Sequence, residues 1–240
     1  MRRREAEILA QALAALPRER LTPCLNLGSS SRRVREATQP HLQNLLLASL
    51  ERRGVRIHHV DRRAEEGVDL VGDLGDAAFW EHLRGLGARL VLCTNLLEHV
   101  RDPETLARRC VALLPPGGLI CVSVPRSYPY HADPIDNGLR PSVAELAALF
   151  PRTRLLAGGI IEDGTLRDSL RRKRIPLAVH LGRLALRLAL PFYRPRGWLH
   201  HLHRLCWLFR PFAVSWALLE KLPDAGRRAR TRRLGRMKIL

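Results

Sequence analysis

Polar residues that could bind or activate a small molecule stand at the ends of five short apolar runs. Gly28 lets the backbone turn tightly beside a ligand, and carboxylates such as Asp61 and Asp73 accept hydrogen bonds from hydroxyl or amino groups. His131 can take up a proton near neutral pH, as a general base must. The five groups are residues 28–30, Asp61, Asp73, residues 95–99 and residues 125–131.

The elements that must position these groups alternate between strand-like and helix-like patterns. Short apolar runs lie at 23–27, 55–60, 68–73, 89–94 and 119–124, and helical patterns lie at 40–53, 77–86 and 103–113. Strands separated by helices of this length predict βαβ units and a parallel sheet. We therefore predict an α/β, doubly wound, Rossmann-like fold over residues 22–165, in which the five polar groups share one edge of the sheet. A further helix is predicted at 141–150, with strands at 153–161 and 213–219.

The charge of the 240-residue chain is unevenly distributed. The formal net charge is +18, from 41 basic and 23 acidic side chains. Residues 1–151 hold 20 basic and 18 acidic side chains, whereas residues 152–240 hold 21 and 5. This asymmetry predicts an anionic partner for the second region. At 46% hydrophobic and 27% charged residues, the composition excludes a collagen-like, disordered or disulfide-stapled chain.

The cysteines and the first residues indicate the compartment. Three of the five cysteines, Cys24, Cys93 and Cys121, lie in apolar runs and are predicted to be buried thiols in a reducing environment. Residues 1–21 lack the uninterrupted apolar stretch of a signal peptide and favour a short amphipathic helix. We expect a cytoplasmic protein.

Five stretches together resemble the class I S-adenosylmethionine-dependent methyltransferases. They are LNLGSSS, HHVDRR, GVDLVGDLGD, LVLCTNLLEHVRDPETLARRCVALLPPGGLICVSVP and YPYHADPIDNGLRPS. The resemblance covers about residues 22–160 and is most specific in NLLEHV, LLPPGG and the strand that ends in VP. It departs from the family at Asn26, where an acidic residue is usual, and at Ser29 and Ser30, where glycine or another small residue is usual.

The resemblance implies S-adenosylmethionine as cofactor and a role for each motif. The first loop would meet the methionine carboxylate, Asp61 and its neighbour the ribose, the next acidic motif the adenine, and the fourth strand end the methionine and sulfonium side. The implied cofactor-binding residues are Gly28, Ser29, Ser30, Asp61, Arg62, Asp73, Leu74, Asn95 and Leu96. The alternative for both aspartates is a turn former without a ligand.

The implied catalytic residues lie after the fourth and fifth strands. His131 is the candidate base for a hydroxyl acceptor, with Asp133 or Asp136 orienting it, and Glu98-His99 matches the family's EH pair. The alternatives are a loop shaped by Asp133-Pro134, a His131 bonded to the backbone, and a structural pair at the start of a helix.

The basic second region divides into three predicted parts. Residues 166–211 form an insertion with amphipathic helices at 177–190 and 198–209, residues 212–222 form the final strand, and residues 223–240 form a basic disordered tail. Arginines and prolines interrupt the insertion too often for a membrane span. Residues 170–210 therefore either dock on an anionic membrane surface, placing the protein on the inner membrane, or pack on the sheet domain as a lid or dimer contact.

We predict no metal site, because His58 and His59 alternate between the faces of a strand and the pair His200 and His203 has no well-placed acidic or cysteine partner. The leading hypothesis is a methyltransferase acting on a small polar, sugar or lipid-linked acceptor. The alternatives are a non-catalytic module of the same fold and a nucleic-acid-binding methyltransferase. Nucleic acid is disfavoured as a partner, because Asn95-Leu96-Leu97-Glu98 stands where base-methylating enzymes carry an Asn/Asp-Pro-Pro-Tyr/Phe motif.

Overall fold

A computed structural model describes residues 1–131, 135–168 and 206–223, together with the single positions 179, 182, 185 and 186. The seven described strands are β1 (Cys24–Leu27), β2 (Ile57–Asp61), β3 (Leu70–Val71), β4 (Leu90–Thr94), β5 (Leu119–Ser127), β6 (Thr153–Glu162) and β7 (Ala213–Lys221). The α-helices are α1 (Arg3–Ala14), α2 (Ala48–Arg52), α3 (Ala77–Gly85), α4 (Pro103–Leu113) and α5 (Val143–Ala148). Val34–Thr38 and Leu42–Leu47 are π-helical, so the helix predicted at 40–53 is only partly an α-helix.

The strands form one mixed sheet in the order β3-β2-β1-β4-β5-β7-β6. The strands β1 to β5 pair in parallel, as predicted, whereas β7 runs antiparallel to both β5 and β6. The chain reverses its direction of travel across the sheet between β1 and β4, and a crevice opens beyond the carboxyl ends of strands at such a point. This topology confirms the Rossmann-like α/β fold.

Both faces of the sheet are covered by apolar helix surfaces. One core packs α1 and the helical segment at 42–52 against β1 and β4, and the other packs α3, α4 and α5 against the opposite face. The central strands β4 and β5 are almost entirely buried, which is why they are continuous apolar runs. Cys24, Cys93 and Cys121 are buried free thiols in these cores, as expected.

Local sequence signals place the helix starts beside the carboxyl ends of the strands. Asp102 accepts a hydrogen bond from the Thr105 amide at 2.9 Å, and Pro103 occupies the first turn of α4. Ser142 and Glu145 cap α5 reciprocally, so this helix begins at Val143 and is shorter than the predicted 141–150.

The predicted insertion and tail, 166–211 and 223–240, lie mostly outside the described residues. Within the part of them that is described, Cys206–Leu208 forms a 3₁₀ turn. No helix among the described residues is long and apolar enough to cross a membrane.

Candidate active site

One cleft of about 1130 Å³ opens at the carboxyl ends of the strands. Ten of the predicted site residues line it: Gly28, Ser30, Asp61, Arg62, Asp73, Leu74, Asn95, Leu96, His99 and His131. Asp61 and Asp73 thus face the same space. Ser29 does not line the cleft, because it is buried and its amide donates to the carbonyl of Val60 at 3.0 Å. Asp133 lies outside the described residues.

The first loop is held in an unusual backbone conformation at the floor of the cleft. Gly28 has φ +66°, and a Cβ atom there would lie 2.8 Å from Cδ1 of Leu96. Ser30 also has a positive φ of 56°, and its amide donates to Oδ2 of Asp61 at 2.9 Å. Oδ1 of Asp61 accepts from the Arg63 amide at 3.1 Å. Because Ser30 follows β1 and Asp61 ends β2, this carboxylate joins the ends of the two strands.

Arg35, which the sequence analysis missed, supports this loop from beneath. The residue is 3% exposed, and its guanidinium donates to the carbonyls of Ser30 at 2.5 Å and Gly67 at 2.8 Å. Burial lowers the pKa of Arg35. Arginine is frequent in this sequence, so no local pattern distinguished Arg35 from its exposed neighbours.

Asn26 occupies the β1 position where the resembling family usually carries an acid. Its Nδ2 lies 3.1 Å from Nδ1 of His59 on β2. An amide nitrogen can only donate, so Nδ1 of His59 accepts and the ring is neutral. Burial lowers the pKa of His59 to about 4, in agreement with that neutral state. Asn26 and His59 therefore link the two strands without a charge.

The segment after β3 forms another wall of the cleft. Oδ1 of Asp73 accepts from the Gly75 amide at 2.7 Å, as a turn-forming aspartate does, yet the residue also lines the cleft. The carbonyl of Leu74 accepts from Nε1 of Trp80 at 2.8 Å and from the Arg109 guanidinium at 2.7 Å. These bonds hold the Asp73-Leu74 backbone against α3 and α4.

The amino-terminal helix contributes a wall that the sequence analysis did not assign to the site. Glu5 of α1 is 1% exposed and lines the cleft. Its Oε1 accepts from Oγ of Ser123 at 2.7 Å and from Nδ2 of Asn95 at 2.8 Å. Asn95 has a positive φ of 50° at the end of β4, so Glu5 fixes the turn that leads towards Leu96. An acidic residue in an amphipathic helix carries no local signal of this contact.

His99 and His131 meet at the opposite end of the cleft. Their rings pack edge to face with centroids 5.0 Å apart, and Tyr128 packs against His131 at the same centroid distance. Nδ1 of His99 lies 2.6 Å from the carbonyl of Ile135. Burial lowers the pKa of His131.

Asp136, the alternative orienting carboxylate, is anchored by other groups. It accepts two hydrogen bonds from Arg140 and one from the His131 amide at 3.0 Å. Although its burial acts in the opposite direction, these bonds lower the pKa of Asp136 to about 2. Its Oδ2 lies 3.4 Å from Nδ1 of His131, so the structure places this carboxylate beside the candidate base.

Glu98 is fully buried behind this histidine pair. Neither of its carboxylate oxygens has a hydrogen-bond partner among the described residues. Nε2 of His99 lies 3.8 Å from Oε1 of Glu98, beyond hydrogen-bond distance. Burial raises the pKa of Glu98 to about 8.

Comparisons with known proteins agree with this architecture. The methyltransferase domain family matches residues 2–219. The MccD protein shares 12% identity with a TM-score of 0.52, over 90% of this chain and 98% of that one. A candidate sarcosine dimethylglycine methyltransferase from Galdieria sulphuraria shares 15% identity with a TM-score of 0.51, over 92% of this chain and 85% of that one. No curated protein matches the sequence. At these identities, the two structures show a common fold.

Proposed function

The chain belongs to the methyltransferase domain family and is a class I, S-adenosylmethionine-dependent enzyme; we propose that it methylates a hydroxyl group of a small polar acceptor such as a sugar. One observation carries this proposal: a single cleft joins the residues expected to hold the cofactor to a pair of histidines at its other end.

The donor would lie along the strand ends from β3 to β4. Asp61 would accept hydrogen bonds from the two ribose hydroxyls, because each of its oxygens uses only one lone pair on a loop amide. Asp73 and Leu74 would meet the adenine. The turn at Gly28, where the positive φ and the close approach of Leu96 both oppose a Cβ atom, would admit the methionine end.

Methyl transfer requires the protein mainly to align the acceptor oxygen with the methyl group of the donor and to activate the acceptor. The acceptor oxygen forms a bond to the methyl carbon while the carbon–sulfur bond breaks. The electron pair of that bond stays on sulfur, which gives S-adenosylhomocysteine. The hydroxyl proton must leave, and His99 and His131 are the groups at this end of the cleft that can activate the hydroxyl.

The size and lining of the cleft support a small polar acceptor. A pocket for one drug-sized ligand occupies about 300–1,000 Å³, and the cleft of about 1130 Å³ leaves room for a second small molecule beside the donor. At the acceptor end, Tyr128 packs against His131, and this tyrosine and the two activating histidines offer hydrogen bonds to hydroxyl groups.

The charge of residues 152–240 supports a membrane-bound or lipid-linked acceptor. We propose that residues 170–210, mostly outside the described part of the chain, dock on the anionic cytoplasmic face of a membrane. Co-sedimentation with anionic but not neutral vesicles, lost on deletion of 170–210, would support docking. Binding to RNA without affinity for vesicles would instead favour the nucleic-acid alternative.

Titration of the purified chain with S-adenosylhomocysteine tests the cofactor end directly. We expect saturable binding with one equivalent per chain. A folded chain that binds none would favour the non-catalytic alternative. Transfer of a labelled methyl group from S-adenosylmethionine to a panel of monosaccharides and nucleotide sugars then tests the acceptor class, with glycine and a catechol as acceptors of other chemistry.

A further inference from the structure

Glu98, His99 and His131 form a cluster that neither the cofactor nor the fold explains. One potential ligand atom from each residue lies within 4.8 Å of the other two. Glu98 and His99 follow β4, whereas His131 follows β5. The three residues therefore come together only because β4 and β5 pair. The prediction of no metal site concerned histidines adjacent in sequence and did not consider this group.

The buried carboxylate lacks the partners that such a group normally has. Burying a carboxyl group without hydrogen bonds or an opposite charge is unfavourable and disfavours its ionised form. Both oxygens of Glu98 are nevertheless buried and unpartnered among the described residues. Arg140 is paired with Asp136 instead, at 2.6 Å. A cation bound between Glu98 and the histidines would supply the opposite charge that stabilises the ionised carboxylate.

The histidines are oriented as metal ligands are. Nδ1 of His99 lies 2.6 Å from the carbonyl of Ile135, and Nδ1 of His131 lies 3.3 Å from that of Pro129. A carbonyl can only accept, so both Nδ1 atoms carry a proton, and in the neutral ring Nε2 is the atom that would offer a lone pair to a metal. Metal-bound histidines commonly donate their other ring nitrogen to a backbone carbonyl in this way.

We propose that Glu98, His99 and His131 bind one divalent transition-metal ion, Zn²⁺ in the first instance, at the acceptor end of the cleft. Two imidazoles and one carboxylate are a ligand set for Zn²⁺ or Fe²⁺, whereas Mg²⁺ prefers oxygen ligands alone. Bonds of about 2.0–2.2 Å place neighbouring ligand atoms about 3–3.5 Å apart. Oε1 of Glu98 lies 3.8 Å from Nε2 of His99, and all three ligand atoms lie within 4.8 Å of one another. Binding therefore requires these side chains to move together by a few tenths of an ångström at the first pair and by up to about 1.5 Å at the pairs with His131.

A metal with three protein ligands keeps at least one position open. His99 and His131 line the cleft and Glu98 lies behind them, so that position faces the acceptor. An acceptor hydroxyl that binds there loses its proton more readily, and the proton leaves to water in the cleft. This chemical role rests on the proposed function, but the binding of the metal does not.

The test measures metal binding and cofactor binding separately on the full chain. After removal of metal with a chelator, we expect the protein to bind one equivalent of Zn²⁺ more tightly than Mg²⁺, and to give a visible Co²⁺ spectrum of low coordination number. Glu98→Gln keeps the side-chain volume and removes the anionic ligand, so Zn²⁺ affinity should fall at least about tenfold. His82→Gln, which alters an exposed histidine on α3, should leave the affinity unchanged.

Two results would overturn the metal site, and a third would overturn its role in the reaction. The first is equal Zn²⁺ binding by the wild-type protein and by Glu98→Gln, which would place the ion elsewhere on the chain. The second is equal binding by the wild-type protein and by His131→Asn, which serves where Glu98→Gln does not fold. The third is methyl transfer that chelation leaves unchanged and His131→Asn abolishes, because His131 would then act as a general base. Folded Glu98→Gln and His131→Asn should still bind S-adenosylhomocysteine, because neither residue is assigned to the cofactor. If the wild-type protein did not bind S-adenosylhomocysteine, the proposed function would be refuted and not the metal site.

Discussion

Replacing Asp61 tests the donor end of the cleft most directly. Its carboxylate accepts from the Ser30 and Arg63 amides at 2.9 and 3.1 Å, and we expect two ribose hydroxyls as additional donors. A hydrogen bond to a charged group contributes roughly 1.5–3 kcal/mol. Because water solvates the partly exposed carboxylate when no cofactor is bound, we expect Asp61→Ala to cost about 2–3 kcal/mol of binding for both hydroxyls together, roughly a 30- to 150-fold weaker affinity.

Calorimetric titration with S-adenosylhomocysteine measures that change. The affinity of Asp61→Asn for S-adenosylhomocysteine should lie between those of the wild type and Asp61→Ala, because the asparagine side chain retains one acceptor oxygen for the backbone N–H of Ser30. Asp69→Asn is the matched control: its carboxylate also accepts from a backbone amide, that of His59 at 2.7 Å, but it does not line the cleft. Equal affinity of Asp61→Ala and the wild type would refute the assignment of Asp61 to the ribose, provided that both are folded.

Three further substitutions address the loop, the amino-terminal wall and the strand pair. Gly28→Ala should lower the free energy of unfolding by about 1–2 kcal/mol and weaken S-adenosylhomocysteine binding, since the positive φ and the close approach to the neighbouring side chain both oppose a Cβ atom. Glu5→Ala should destabilise the protein by about 2–3 kcal/mol in urea unfolding, because it removes the acceptor shared by Asn95 and Ser123. The wild type should lose stability as the pH falls from 6.5 towards 4, because burial lowers the pKa of His59 to about 4 and protonation then favours the unfolded chain. His59→Gln should lose less stability over the same interval.

Each of these substitutions has an internal comparison. Glu5→Gln retains one acceptor oxygen and should recover part of the loss caused by Glu5→Ala. Glu81→Gln breaks an exposed ion pair with Arg84 at 2.6 Å and should change stability by less than about 0.5 kcal/mol. If Gly28→Ala bound S-adenosylhomocysteine as the wild type does, the first loop would not contact the cofactor. An identical pH profile of His59→Gln and the wild type would show that another group governs acid stability.

Local patterns in the sequence were sufficient to predict the sheet and the edge at which the candidate site residues gather. The strands β4 and β5 are buried on both faces and therefore read as continuous apolar runs, and the helix between them begins at Asp102-Pro103, a recognisable start signal. Parallel strands bring their carboxyl ends to one edge, so the positions of Asp61 and Asp73 along the chain were enough to predict a shared cleft. The order of connection and the spacing of polar residues are properties of the chain itself.

Contacts between distant segments could not be predicted in this way. Glu5 bonds to Asn95 and Ser123, 90 and 118 residues away, and no pattern within α1 indicates that it covers the cleft. The antiparallel direction of β7 could not be predicted either, because an apolar run does not indicate whether its strand pairs in the parallel or the antiparallel direction. Glu98, His99 and His131 are brought together only by the pairing of β4 with β5 and the return of the following loop. The spacing of residues along one strand or helix is set by local geometry. The distance between side chains on separate elements depends on how those elements pack, so only the tertiary structure decided it.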